Sequence, residues 1–423
     1  MKRIALLLLL TSALFADDLP RRLTIGVAAA PADNGLAVQS VTPGFPFEQA
    51  GIREGDVITL IDGKPMTNPR DLIASLRAHK LGETMHVDVL RGTEKKSFDV
   101  AMREHPKLTS NAYDIVYDSV RDPESGARYR VIVTKPRGVA KAPALYLVQG
   151  LGCFSIDTAQ DFYTTMLDTA TKQGIVTLRV DKPGAGDSEG GPCPEVDFNT
   201  ELRAYQAGLR YLAAQPYVDA KHITLFGHSM GGIMAPVIAE AGPLSKAIVY
   251  GTGYSSWFYY MLENGRRQAR LAATPFDVMG EQEKQFEKLN SLLFIQKKTL
   301  EEALTEVPAM RDHFPDGHSY AGGKPVKYFQ QIYDLNLAKE WKEAKLPVTA
   351  IWGTSDFVSS EADHEWLAAA VNSWLPGKGK LVRLEKTDHW FNHAKDFTQS
   401  LMSGGSGTMN DAIVTTVLQE VDR

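Results

Sequence analysis

Short apolar runs recur along most of this 423-residue chain, and the later ones show little alternation. Ala144 to Val148, Ile175 to Val180, Ile223 to Phe226, Ala247 to Tyr250, Val348 to Trp352 and Leu381 to Leu384 are near-continuously hydrophobic. Strands of that kind are buried on both faces. Helical stretches separate most of them, so the pattern predicts an α/β architecture with a mainly parallel sheet covered on both sides. Active sites in such sheets lie beyond the carboxyl ends of the strands. Ahead of these runs, Tyr113 to Val120 and Arg128 to Thr134 flank the turn signal Asp122-Pro123-Glu124-Ser125-Gly126 and predict a hairpin.

The first hundred residues carry a different rhythm. Leu36 to Val41 and Met85 to Leu90 alternate apolar with polar positions, the mark of half-buried strands. Between them Asn68 caps a short helix with Pro69 at its first position and Leu72, Ile73 and Leu76 on its apolar face. The run from Gly44 through Gln49-Ala50-Gly51-Ile52-Arg53-Glu54-Gly55-Asp56-Val57-Ile58 to Ile61-Asp62-Gly63-Lys64 resembles PDZ domains of the bacterial kind attached to exported serine proteases. The resemblance covers about eighty residues, Leu23 to Met102, and implies a small α+β PDZ-like domain over residues 20–104. Such domains take C-terminal peptides by strand addition. By the resemblance, the carboxylate loop falls at Leu23-Thr24-Ile25-Gly26-Val27, with amides around Gly26 forming an anion nest and Leu72 and Leu76 lining the side-chain pocket. The peptide-binding residues are thus expected to be Ile25, Gly26, Val27, Leu72 and Leu76. A module that only packs against its neighbour is the alternative.

The candidate chemistry centres on Gly227-His228-Ser229-Met230-Gly231, which follows one apolar run and opens another. A strand, a tight turn and a helix hold such a serine in a strained conformation, and flanking glycines are needed because side chains there would collide with strand and helix. The hydroxyl then stands clear of the sheet at a helix N-terminus, where the next amide can donate to an oxyanion. Serine needs a base, and a neutral imidazole suits that near neutral pH, with a carboxylate to hold its tautomer. Asp356 follows the Val348 strand in Gly353-Thr354-Ser355-Asp356, and His389 follows the Leu381 strand in Glu385-Lys386-Thr387-Asp388-His389. The order Ser229, Asp356, His389 resembles the α/β-hydrolase family over residues about 113 to 423, and a hydrolase domain is expected at 110–423. Asp363 is the competing acid, expected on the following helix; His393 and Asp388 lie beside His389, and His228 fits a packing or orienting role at the elbow. The second oxyanion donor is expected from Gln149-Gly150-Leu151-Gly152-Cys153, where many relatives carry His-Gly, which nominates the Leu151 amide beside that of Met230. Asp181 to Ser188 resembles a family loop and reads as structural. Residues 254–345 exceed what one connection needs; in this family such an insertion is a helical cap, here with Phe286, Leu289 and Leu293 marking an amphipathic helix and its aromatics available for an acyl or hydrophobic side-chain pocket.

Composition narrows the setting. Hydrophobic residues at 43% suffice for globular cores, and a net charge of −5 gives no reason to expect a nucleic-acid partner. Lys2-Arg3, the apolar Ile4 to Leu10 and the small Ala16 describe a signal peptide over residues 1–16, too short for a bilayer span, so a periplasmic or secreted protein without a stable membrane span is expected. In an oxidising compartment the lone pair Cys153 and Cys193 is expected to be bridged, with two free thiols as the alternative. No HExxH, paired CxxC or P-loop occurs, so neither metal nor other cofactor is implied. The expected protein is a serine hydrolase working through an acyl-enzyme on an ester or peptide substrate, esterase chemistry first and peptidase close behind; an inert peptide-binding scaffold is the rival.

Overall fold

The computed structural model describes residues 19–157 and 161–422, and the expected signal peptide at residues 1–16 lies outside the described residues. The chain divides into two compact units, Pro20–Leu108 and the segment from Thr109 onward.

The larger unit is built on eight strands: β1 (Tyr113–Arg121), β2 (Arg128–Pro136), β3 (Ala142–Val148), β4 (Val176–Val180), β5 (Val218–His228), β6 (Lys246–Tyr250), β7 (Val348–Gly353) and β8 (Gly379–Leu384). They lie in the order β8-β7-β6-β5-β3-β4-β2-β1. All neighbours from β4 to β8 are parallel, and β2 pairs antiparallel with both β4 and β1. The expected hairpin and the mainly parallel sheet are therefore present. Residues alternate between two cores: Ala144, Tyr146 and Val148 of β3 join one, Leu145 and Leu147 the other. Apolar side chains are required on both faces, which is why β3 reads as an unbroken hydrophobic run. Each large side chain fully buried this way contributes about 2 kcal/mol.

The first core is closed by helices Phe198–Ala213 and Met230–Ile238, the second by Asp161–Lys172 and Ala412–Glu420. Helices after β3 and β5 thus leave on opposite faces although the two strands are adjacent. Such a switch point opens a crevice at the strands' carboxyl ends. The register there sets Val148 beside Gly227, so the loop after β3 and the turn after β5 emerge side by side.

The insertion between β6 and β7 is mostly helical, with Trp257–Leu271, Phe276–Asn290, Leu300–Glu306, Val326–Tyr333 and Leu337–Ala344. It also contains a small hairpin, Ser319–Ala321 with Lys324–Pro325, that hydrophobic periodicity does not reveal. Gly322 and Gly323, at φ +54° and +76°, supply the two left-handed positions of its turn. The stripe of Phe286, Leu289 and Leu293 crosses from an α-helix ending at Asn290 into a wider π turn, Ser291–Ile295.

The smaller unit has strands Val27–Ala32, Gly35–Val41, Val57–Ile61, Thr84–Arg91 and Glu94–Ala101 hydrogen-bonded in that order, with helices Pro46–Ala50 and Pro69–Ala78. Asn68 accepts the Arg70 amide at 2.8 Å, and Asp71 reaches back to the Asn68 amide at 3.0 Å, so the helix start carries a full capping box. Leu36, Phe47, Ile58, Met85 and Val87 form its buried centre. Val27–Ala32 is one edge strand of its sheet and Glu94–Ala101 the other.

Candidate active site

Ser229 sits between β5 and the helix Met230–Ile238 with φ +53° and ψ −116°, a region that non-glycine residues leave unless their surroundings impose it. The imposition is visible at its flanks. A Cβ on Gly227 would fall 2.6 Å from the Gly231 carbonyl oxygen, and one on Gly231 would fall 2.2 Å from that of Val148. Only glycine lets strand and helix close so tightly on the turn.

His228 fastens the turn to the loop after β8. Its ring is buried, the Tyr163 hydroxyl lies 2.6 Å from Nδ1, and Nε2 lies 3.0 Å from the His389 carbonyl oxygen. The carbonyl can only accept, so Nε2 carries the proton and Nδ1 receives the phenol. Burial first, then the neighbouring His389, push the His228 pKa down to about 3 and keep the ring neutral. The elbow and the His389 loop are thereby held together through the residue beside the serine.

Asp356, after β7, is fully buried and lies 2.8 Å from His389 Nδ1 through Oδ2. The Ser359 hydroxyl donates to the same oxygen at 2.6 Å, and the Val358 and Ser359 amides donate to Oδ1 at 2.8 and 2.9 Å. Burial alone would raise this carboxyl, but the His389 charge and the donors from His389 and Ser359 outweigh it and hold the group at about 2. An ionised Asp356 fixes the His389 proton on Nδ1 and leaves Nε2 as the basic nitrogen.

The loop Gln149–Cys153 lies against the elbow. A Cβ on Gly150 would come within 3.3 Å of both Ser229 Cβ and His228 Nδ1. Among the described residues, neither the Leu151 nor the Met230 amide has a hydrogen-bond acceptor. Gln149 turns its amide nitrogen back to the Gly152 carbonyl at 3.0 Å and so shapes the loop itself. Cys153 at the end of this loop is disulfide-bonded to Cys193, with 5.7 Å between the Cα atoms.

The competing residues are placed elsewhere. Asp363 is on the helix Glu361–Trp374, as the sequence implies, and accepts the Tyr254 and Ser255 amides at 3.0 and 2.7 Å. It anchors the start of the insertion. His393 is exposed. Asp388 is buried and receives the Trp390 and Asn392 amides through Oδ1 at 2.9 and 2.7 Å. The insertion's leading aromatics divide: Trp257 is buried, stacked on Tyr260 and Phe329, whereas Tyr254, Tyr259 and Tyr260 line a concavity with Glu263 and Trp366.

Several supporting groups escaped the sequence reading. Ser359 is one, and His364 is another; buried, it accepts the Thr252 amide on Nε2 at 3.1 Å. A third is a buried cluster of Lys182, Glu201 and Lys324. Lys182 lies in the Asp181 to Ser188 loop already read as structural, but Glu201 and Lys324 carry no local signal and look like solvent-facing positions.

In the smaller unit the Ile25 side chain is buried in the core and its carbonyl accepts the Phe47 amide at 3.0 Å. Gly26 has φ +70°, and a Cβ there would fall 2.2 Å from Phe45 Cβ. Among the described residues the Ile25 and Gly26 amides have no acceptor. Leu72 belongs to the core with Leu76 packed against it, while Ile73 is half exposed.

Sheet order, switch-point elbow and insertion define an α/β-hydrolase, here a serine hydrolase joined to a PDZ domain. Comparison with known families is more specific. Residues 156–378 match the family described as serine aminopeptidase, S33, and the chain belongs to that family; residues 24–102 match the PDZ domain family. The first match contains Ser229 and Asp356 and stops short of His389. Among curated relatives, the putative serine protease HhoA of Synechocystis sp. is 39% identical over 80 residues, 19% of this chain and 20% of that protein. Esterase EstD of Thermotoga maritima is 25% identical over 240 residues, 56% of this chain and 52% of EstD. The chain thus spans about a fifth of the former and about half of the latter. Est1E from Butyrivibrio proteoclasticus, solved with ferulic acid bound, aligns at 15% identity over 72% of this chain and 99% of its own, with a TM-score of 0.45.

Proposed function

We propose that the protein is an exported hydrolase that cleaves esters through an acyl-enzyme on Ser229, with its PDZ domain taking peptide C-termini. His389 Nε2 accepts the Ser229 proton as Oγ attacks the carbonyl carbon, and the imidazolium that forms is stabilised by Asp356. The Leu151 and Met230 amides donate to the oxyanion. His389 then returns the proton to the leaving oxygen, and a water repeats the sequence on the acyl-enzyme to release the acid and free Ser229. The observation that carries this reading is the 2.8 Å Asp356–His389 pair on the loop that His228 ties to a serine held at φ +53°.

A peptidase is the second reading, and the family description favours it; the similarity to EstD favours the ester. Export is supported by the Cys153–Cys193 disulfide, since such bridges persist in oxidising compartments. In the PDZ domain, the acceptor-free Ile25 and Gly26 amides support a carboxylate nest beside the open edge strand that begins at Val27, with Leu72 and Leu76 on the facing helix.

A fluorophosphonate probe tests the central claim. Labelling of the wild type that disappears in Ser229→Ala supports it, whereas a folded, unlabelled wild type points to an inert scaffold. Turnover of p-nitrophenyl esters of graded chain length, compared with aminoacyl and peptidyl p-nitroanilides, separates esterase from peptidase. Calorimetric titration of C-terminal peptides against the full chain tests the groove, and a library without a binder removes the capture role.

A further inference from the structure

The Leu151 amide belongs to the same rigid peptide unit as the Gly150 carbonyl. In a trans peptide these two groups point in opposite directions, so whatever holds the carbonyl sets the aim of the amide. That holder is Lys182. Its Nζ donates to the Gly150 carbonyl oxygen at 2.5 Å and lies 2.7 Å from Glu201 Oε1. Lys324, from the hairpin in the insertion, reaches Glu201 Oε2 at 3.0 Å and the carbonyl of the disulfide-bonded Cys193 at 2.7 Å. All three charged side chains are 0% exposed.

Two ammonium groups around one carboxylate leave a surplus positive charge in a dry site. Burial, with repulsion from Lys324, pulls Lys182 down to about 8 against the attraction of Glu201. Taking each ion from water costs several kcal/mol, and packed apolar residues commonly stabilise a core as well or better. Structural need alone therefore gives a weak account of this cluster. Its placement gives a stronger one, because a cation on the Gly150 oxygen polarises the peptide and makes the Leu151 N–H a better donor. The same hairpin supports the loop from outside: a Cβ on Gly322 would fall 2.4 Å from Leu151 Cδ2.

We propose that Lys182 is a positioning residue of the oxyanion site, its ammonium fixing the Gly150 carbonyl so that the Leu151 amide donates to the developing negative charge. The assignment rests on the acyl-enzyme reading of Ser229. Lys182→Met keeps the stem and removes the charge and donor. With p-nitrophenyl butyrate as probe, kcat falls about 100-fold while KM moves less than about threefold, the split expected for an interaction made only in the transition state. Affinity for a phenylethyl boronic acid, whose serine adduct is tetrahedral, falls in parallel. Lys246→Met, which removes an ammonium from Glu420 at the amino end of the strands, away from the elbow, is the control and keeps kcat within about threefold.

A kcat for Lys182→Met within about threefold of wild type, or an equal loss in both lysine variants, overturns the assignment. If Lys182→Met does not fold, Lys182→Gln, which retains a neutral donor, carries the same comparison with a loss of about tenfold expected. A wild type that neither labels with fluorophosphonate nor turns over the ester removes the Ser229 reading itself. A labelled, active wild type with undiminished Lys182 variants removes only this assignment.

Discussion

Gly251 offers a sharp test of the Asp356–His389 pair, because it stands where any side chain would strike both partners. Its φ is +60°, and a Cβ would lie 2.9 Å from His389 Nδ1 and 3.0 Å from Asp356 Oδ2. Those two atoms are themselves 2.8 Å apart. A methyl group in Gly251→Ala must therefore push them apart by about 0.5 Å to regain ordinary carbon contact distances. The left-handed backbone adds about 1 kcal/mol of destabilisation, which corresponds to a melting shift of about 2 °C in a unit of this size. Complete loss of the orienting carboxylate costs roughly 10⁴ in kcat, so a stretched pair should lose about 100-fold. Gly138→Ala is the control: its φ is +73°, and a Cβ there meets nothing within 4 Å. It carries the same backbone cost without touching the Asp356–His389 pair. Steady-state hydrolysis of p-nitrophenyl butyrate, with thermal melts of both variants, checks the argument. A folded Gly251→Ala that keeps kcat/KM within about threefold of the control would refute it.

Ser359→Ala removes the hydroxyl that shares Asp356 Oδ2 with His389 at 2.6 Å; a hydrogen bond to a charged group predicts about a tenfold fall in kcat, read on the same ester. Mutation of both Cys153 and Cys193 to serine opens a loop with a sequence separation of 40 residues, and urea denaturation should report a loss of about 4 kcal/mol. Asp122 falls from the usual 3.8 to about 2: burial works against this, and the Arg203 bond at 2.9 Å with donors from Glu124 and Ser125 more than offsets it. A depressed carboxyl stabilises the fold above its unfolded pKa, so that contribution is complete above about pH 4 and is lost as pH falls through about 2. Denaturation measured across that interval should show a shallower acid decline in Asp122→Asn than in wild type, and parallel declines would remove the assignment.

The parts of this protein that could be read from sequence are those where one residue's chemistry answers to its immediate neighbours. Continuous apolar runs located β3, β4, β6 and β7 because both faces of those strands are buried, whereas β8, at the edge of the sheet, buries only Leu384 and was found by its short Leu381-Val382 pair. The run Ile223 to Phe226 marks only the doubly buried part of β5, whose polar start, Val218 to His222, joins the sheet past an irregularity between Ala142 and Ala144. Gly227, Ser229 and Gly231 announce the elbow because the backbone there tolerates nothing larger. The supporting shell follows another logic. Lys182, Glu201 and Lys324 meet only after the sheet, a helix and the insertion have formed; the loop around Lys182 could be read as structural, but its two partners would look solvated if taken alone. His364 and Ser359 likewise act on groups brought to them by β6 and β7. Local conformational demand writes itself into short motifs, whereas the electrostatic environment of a site is assembled from distant residues under no local constraint. The strained elbow around Ser229 was therefore legible and its surroundings were not. Buried charge of that kind is costly to keep, and Lys182→Met asks directly what keeps it.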